Sequence, residues 1–305
     1  MKVLFQSARA LEHARPPGQP VEDAVTGAVD RSIGDLIREA RNLTDEQIEQ
    51  ILLYQREHGV RFGEAAVALA YASDDDVIRA LAQQFHYPYA PDEGFGNPEL
   101  VVADKPFSEE AETFRELRSQ LMAEVLNGEE PRRALAVLSP DIGDGKTYLA
   151  ANVAAAFSQL GARTLLVDAD MRTPRLQQVF GLEKTPAGLS SILCGRAEQN
   201  IIHQVAGLPS LYMLPVGLIP PNPLELVQRP AFGLLIHELL SKFDYVIVDT
   251  PAAAHGADAR VIAAKCGAAL VVGRQGRSRM SKLQALLGTL AKGKAKVAGV
   301  VVNEH

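Results

Sequence analysis

The feature that most constrains the fold is the run Ser139-Pro140-Asp141-Ile142-Gly143-Asp144-Gly145-Lys146-Thr147, set between an apolar β-rich segment and an alanine-rich helical one. Its glycines let a loop fold back so that successive backbone N–H groups converge on phosphate oxygens. The helix that follows adds the partial positive charge of its N-terminus. Lys146 would then reach the β- and γ-phosphates, and the Thr147 hydroxyl would complete a magnesium shell. Pro140 stands where the usual pattern has its first glycine, so the strand-loop-helix context carries the reading.

Around this loop, apolar strand patterns at 134–139, 164–168, 245–249, 268–273 and 297–303 alternate with helical stretches. Continuous apolar strands separated by helices predict an α/β fold, a parallel β-sheet flanked by helices on both faces. Ligands in such folds sit beyond the carboxyl ends of the strands. Asp168 and Asp170 end one strand and Asp249 ends another. Three acids crowded at one sheet edge repel one another unless a cation balances them. The expected nucleotide site is therefore Gly143, Asp144, Gly145, Lys146, Thr147 and Tyr148, with Thr147, Asp170 and Asp249 around magnesium. No histidine pair has metal-ligand spacing, and no serine sits in a nucleophile elbow.

The N-terminal part is a repeat. Residues 32–55 and 61–84 align without gaps at an offset of 29, pairing Gly34 with Gly63, Thr44 with Ser73 and Leu52 with Leu81. Each copy reads as a short amphipathic helix, a Thr or Ser cap beside aspartate, and a second helix. The expected organisation is a mobile leader at 1–20, a small mostly helical repeat module at 21–90, a Pro- and Gly-rich linker at 91–106, and the phosphate-loop domain at 107–305. The module resembles the N-terminal domain of the ATPases that drive type II secretion and type IV pilus assembly. Some of those bind cyclic di-GMP, which here would fall at Gly34, Arg61 and Gly63; a docking module without a ligand is the alternative. Ser32 replaces the motif's arginine in the first copy, and Asn42 and Tyr71 stand where glycine is usual.

With net charge −6, nothing draws the chain to nucleic acid over long range. Cys194 and Cys266 have no CxxC partner, and prolines interrupt the longest uncharged stretch, so neither a disulfide framework nor a membrane span is expected. The cytoplasm is the expected compartment.

The loop without an early lysine, the stretch Asp168-Ala169-Asp170-Met171-Arg172, the run Asp244-Tyr245-Val246-Ile247-Val248-Asp249-Thr250-Pro251 and the closing Gly299-Val300-Val301-Val302-Asn303 together resemble the bacterial tyrosine kinases. These are P-loop NTPases of the deviant Walker type, and the likeness is to the chain-length determinant kinases (EpsG type) of exopolysaccharide biosynthesis. The resemblance implies an ATP- and magnesium-dependent phosphotransferase. Lys146 would hold phosphate, Asp168 would receive the substrate proton with Asp170 in support, and Asn303 would contact adenine. It also implies a homo-oligomer assembled through Glu112, Arg115 and Arg118. It further implies a membrane chain-length determinant (polysaccharide co-polymerase) as adaptor at the inner face of the membrane and a tyrosine-containing protein as substrate. The family's C-terminal tyrosine cluster is missing, since no tyrosine follows Tyr245. A nucleotide-gated switch with little kinase activity is the alternative.

Overall fold

The structure is a computed structural model that describes residues 2–4, 31–84, 96–127, 130–183, 185–196 and 201–304. They fall into two units.

In the smaller unit, helices α1 (Ile33–Arg41), α2 (Asp45–His58), α3 (Phe62–Ala68) and α4 (Asp74–Gln84) begin where side chains take over the backbone N–H groups that a helix start leaves free. The Ser32 hydroxyl accepts from the Asp35 N–H while the Asp35 carboxylate accepts from that of Ser32. Thr44 with Gln47 and Ser73 with Asp76 repeat the exchange. Arg61 offers no oxygen, so α3 keeps half of this device, the Glu64 carboxylate accepting from the Arg61 N–H at 2.8 Å. The second copy departs from the first at its turn. Asn42 ends α1 in the left-handed region, but after the shorter α3 it is Ala70, at φ 57°, and not Tyr71 that does so. Ile37, Ile51, Ala65 and Ala66 are fully buried between the copies.

The larger unit is built on one sheet in the order β1 (Lys2–Leu4), β8 (Lys296–Asn303), β7 (Gly267–Arg274), β2 (Ala134–Leu138), β6 (Tyr245–Asp249), β3 (Thr164–Asp168), β5 (Leu208–Leu214) and β4 (His203–Val205). The run from β8 to β5 is parallel, with antiparallel β1 and β4 at the edges. Helix α7 (Lys146–Ser158) follows β2 and is buried along nearly its whole length. Its run of alanines lets it lie between the sheet and α6 (Glu109–Glu124), and a helix apolar all round is a core helix. The other face carries α10 (Pro223–Gln228), α11 (Pro230–Lys242), α12 (Asp258–Cys266) and α13 (Met280–Ala291). Short helices α8 (Leu176–Val179) and α9 (Leu189–Leu193) lie in the β3–β4 connection.

Three findings depart from the sequence reading. Part of the expected linker belongs to this unit's core. Leu100, Val101 and Val102 are buried, and α5 (Val101–Asp104) lies along α7, where the buried Asn152 amide accepts from the Val102 N–H at 3.0 Å and donates to Glu99 O at 2.7 Å. Strands β4 and β5 were not expected. Pro209 masks β5, and the structure tolerates it because it sits at the exposed start of the strand, before the residues paired to β3. Within the expected leader, Lys2–Leu4 pair with β8 and cover backbone groups that an edge strand otherwise leaves open. The rest of the leader, and Tyr87 and Tyr89 in the Pro-rich stretch, lie outside the described residues.

Candidate functional site

Register brings the acids together. Asp168 at the end of β3 lies opposite Asp249 at the end of β6, and Val137 of β2 pairs with the same Asp249. The chain leaving β2 therefore forms its loop directly beside both carboxylates. Gly143 and Gly145 hold φ of 83° and 100°, the left-handed region that lets the loop fold back. Gly145 is further constrained, because a Cβ there would collide with Asn303 Nδ2.

The loop is braced from both sides. The buried Asp144 carboxylate accepts from the Asp141 N–H at 2.8 Å and from the Ser278 hydroxyl at 2.8 Å. Arg274 donates to Gly143 O at 3.2 Å, Lys282 pairs with Asp141 at 2.6 Å, and Asn303 Nδ2 donates to Asp144 O at 3.2 Å. Asn303 is thus bonded to the phosphate loop itself, a role its expected contact with adenine did not include. On the other side, the Ala253 and Ala254 N–H groups donate to Ser139 O and Pro140 O at 2.9 and 3.0 Å.

At the loop's end, Lys146 is almost buried and the Thr147 hydroxyl donates to Asp249 Oδ2 at 2.7 Å. Asp249 Oδ1 is buried and, among the described residues, meets no hydrogen-bond donor. A buried carboxylate oxygen left open beside a phosphate loop fits a cation completed by phosphate oxygens and water. Burial, opposed by the Lys146 ammonium and the Thr147 hydroxyl, pushes the Asp249 carboxyl up to about 7. Asp168 is raised well above the usual carboxylate range, first by burial and then by Asp249 and Asp170. It accepts from the N–H groups of Asp170 and Leu176 at 3.1 and 3.3 Å.

The other residues singled out in the sequence are placed as follows. Both Asp170 oxygens are engaged in the turn that follows, Oδ1 accepting from the Arg172 and Thr173 N–H groups and Oδ2 from the Thr173 hydroxyl. The Tyr148 ring packs edge-on against Phe114 of α6, 5.7 Å between centroids, and burial pushes its hydroxyl up to about 12. It belongs to the α6–α7 interface. On α6, Arg115 pairs with the exposed Glu112 at 2.6 Å, while Arg118 donates to Ala156 O at 2.7 Å near the end of α7. Arg115 also donates to Pro106 O, so all three side chains expected at the assembly surface have partners within their own chain, Arg118 on α7 and the other two on each other. In the repeat unit Arg61 is exposed and Gly63 is buried; a Cβ on Gly63 would come 2.7 Å from Val77 Cγ1, so helix packing alone requires that glycine.

A family model described as the CobQ/CobB/MinD/ParA nucleotide binding domain matches residues 135–305. The tyrosine-protein kinase CpsD of Streptococcus agalactiae is 31% identical over 193 residues, which are 63% of this chain and 82% of CpsD. The chain belongs to the bacterial tyrosine-kinase family. The tyrosine-protein kinase Wzc of Salmonella typhimurium is 31% identical over 205 residues, 67% of this chain but 28% of Wzc, so this chain spans less than a third of that relative. The kinase domain of the Escherichia coli tyrosine kinase Etk superposes with a TM-score of 0.63 at 28% identity, covering 68% of this chain and 79% of that one. Within this family the phosphate loop makes the larger unit a nucleotide-binding one. No helix among the described residues is long and apolar enough to cross a membrane.

The sequence reading missed Asn152, Ser278, Asp258 and Lys282. Each acts on a partner distant in sequence, and a lone polar residue within a helix or loop carries no local pattern that could have announced it.

Proposed function

We propose that the chain is an ATP- and magnesium-dependent protein tyrosine kinase acting in exopolysaccharide production and chain length. One observation carries the reading most: the buried, donor-free Asp249 Oδ1 beside the Thr147 hydroxyl and Lys146 at the end of a phosphate loop. Thr147 and Asp249 would hold magnesium, with Asp170 acting through water. When bound, the ion neutralises phosphate charge and orients the transferring group. Lys146 and the loop amides hold the phosphates of ATP, positioning being the larger part of phosphoryl transfer. Asp168, in its ionised form, takes the proton from the tyrosine hydroxyl as that oxygen bonds the γ-phosphorus and the bond from phosphorus to the β-phosphate oxygen breaks, with ADP leaving. The phosphoacceptor lies on another molecule or outside the described residues. Tyr54 stacks on His58, Tyr148, Tyr212 and Tyr245 pack edge-on or tilted against phenylalanine rings, and Tyr71 donates to Gln50. The expected setting is cytoplasmic, at the inner face of the membrane, where a co-polymerase adaptor supplies an activating tail. The exposed Arg61 leaves room for a cyclic di-GMP contact at the repeat unit, a proposal that titration of this protein with cyclic di-GMP decides.

The test uses the full chain, labelled ATP and the adaptor tail. Wild type transfers label to tyrosine. Lys146→Met loses MgATP affinity by calorimetry, because the phosphates lose their main side-chain counterion. Asp168→Asn keeps that affinity and loses transfer by about 100-fold or more. ATP hydrolysis without phosphotyrosine on any partner would replace the kinase with a nucleotide-gated switch that controls assembly.

A further inference from the structure

Arg172 ends the stretch that carries Asp168 and Asp170, and its side chain pairs with neither of them but with Asp258. Its Nε and Nη2 groups donate to the Asp258 carboxylate at 3.1 to 3.3 Å, Nη2 reaching both oxygens. Asp258 is 2% exposed, and it opens α12, where a helix N-terminus favours a carboxylate. A forked pair of this kind fixes orientation as well as distance.

What the pair joins is the reason for interest. On one side, the Arg172 N–H donates to Asp170 Oδ1, and the same turn runs on to the Leu176 N–H that donates to Asp168. On the other side, α12 is entered from residues 250–257, whose Ala253 and Ala254 N–H groups hold the carbonyls at the start of the phosphate loop. The loop closes the circuit through Thr147 and Asp249, and Asp249 O accepts from the Ala169 N–H at 2.9 Å. Arg172 and Asp258 are the one ion pair recorded among the described residues that ties the Asp168 turn to α12. Met171 of the turn also packs into the apolar cluster that holds Ala259 and Ile262 of α12, but that contact is non-directional, and the ion pair is the link that fixes orientation.

We propose that Arg172 and Asp258 form a positioning pair that couples the turn carrying Asp168 to the phosphate-loop segment, keeping the base in register with bound nucleotide. Arg172 then acts through the turn, and its charge is spent on Asp258. The kinetic arm of the test rests on the kinase reading; the exchange arm does not.

The experiment compares full-length wild type, Arg172→Gln, Asp258→Asn, the double variant and Arg172→Lys, each with saturating MgADP or MgATP. Both single variants should lower kcat about tenfold or more with KM for ATP within about twofold, the signature of misplaced rather than missing groups. The double variant should be no worse than either single one, because each removes the same link. Arg172→Lys should recover part of the loss. Amide exchange should rise at 169–176 in both single variants while β2 and β6 stay protected. Exchange unchanged at 169–176, or kcat lost in Arg172→Gln but retained in Asp258→Asn, overturns the proposal and makes Arg172 a direct contact of the transferring phosphoryl. Loosening spread over the whole unit with kcat unaltered overturns it in favour of a purely structural pair. Should wild type transfer no phosphate, the kinase reading falls, and exchange at 169–176 alone decides the coupling.

Discussion

Asp249 shows how one residue can work against the fold it serves. Its carboxyl is buried, and it titrates near 7 rather than at the usual 3.8. The metal-free native protein therefore keeps a proton that the unfolded chain gives up near pH 4. The stability this group contributes is fully present below about pH 4 and is lost as pH rises towards about 7. Asp168 is raised for the same reason and adds a slope of the same sign. Asp249→Asn should thus melt at a higher temperature than wild type at pH 8 in chelator, with a shallower decline between pH 5 and 8, while gaining less from MgADP. Equal melting curves for both proteins across that range would show the carboxyl already ionised at no cost. Such a buried acid was legible in the sequence because it ends an apolar strand beside a phosphate loop. The orphaned Oδ1 was not, since it depends on what fails to approach from strands far apart in the chain. Asn303 illustrates the reverse case: only the family resemblance singled it out, as an adenine contact. Its bond to Asp144 O needed the loop's actual path.

At the scale of elements, local signals worked where they were redundant. The repeat's helices start 29 residues apart in each copy, because cap residues and apolar spacing agree. Local signals failed where a distant partner overrode them. Residues 97–104 fall in the expected linker because Pro91, Gly94, Gly96 and Pro98 mark its first half, yet Val102 is bonded at its N–H by Asn152 and at its carbonyl by Gln159, both on the far side of the phosphate loop in sequence. Glycine composition was similarly ambiguous at positions 34 and 63. A Cβ at Gly34 would meet Ser32 and Phe62 at 3.6 and 3.7 Å, ordinary contact, whereas at Gly63 it would press on β-branched Val77 at 2.7 Å. Gly63→Ala should therefore destabilise the helical unit by about 1 to 3 kcal/mol, the usual cost of overpacking, and Gly34→Ala should leave it unchanged or slightly more stable. Denaturant titration followed by amide exchange within 31–84 separates this unit from the other. Equal midpoints for the two variants would mean that α3 can shift away from α4 freely.

At the scale of the whole molecule, the family likeness implies a homo-oligomer, and α6 is where the resemblance locates its surface. The geometry sorts the three charges by what a substitution would report. Arg118 donates to Ala156 O, near the last turn of the buried α7, where a cation also meets the negative end of the helix. Removing it disturbs the nucleotide unit whether or not a partner exists. Glu112 keeps 62% of its side-chain surface and pairs with Arg115 across one helical turn, an arrangement worth about 0 to 1 kcal/mol within a single chain. An effect on assembly much larger than that must come from a second chain. Glu112→Ala should thus leave the melting temperature and MgADP affinity near wild type while shifting the sedimentation-velocity distribution towards monomer. Arg118→Ala should lower the melting temperature even at concentrations where only monomer sediments. If Glu112→Ala and wild type sediment alike over a concentration series, α6 is a solvated face and the assembly surface must be sought elsewhere. If Arg118→Ala alone dissociates the protein without lowering its melting temperature, the bond to Ala156 gives way readily and Arg118 spends its charge on a neighbouring subunit.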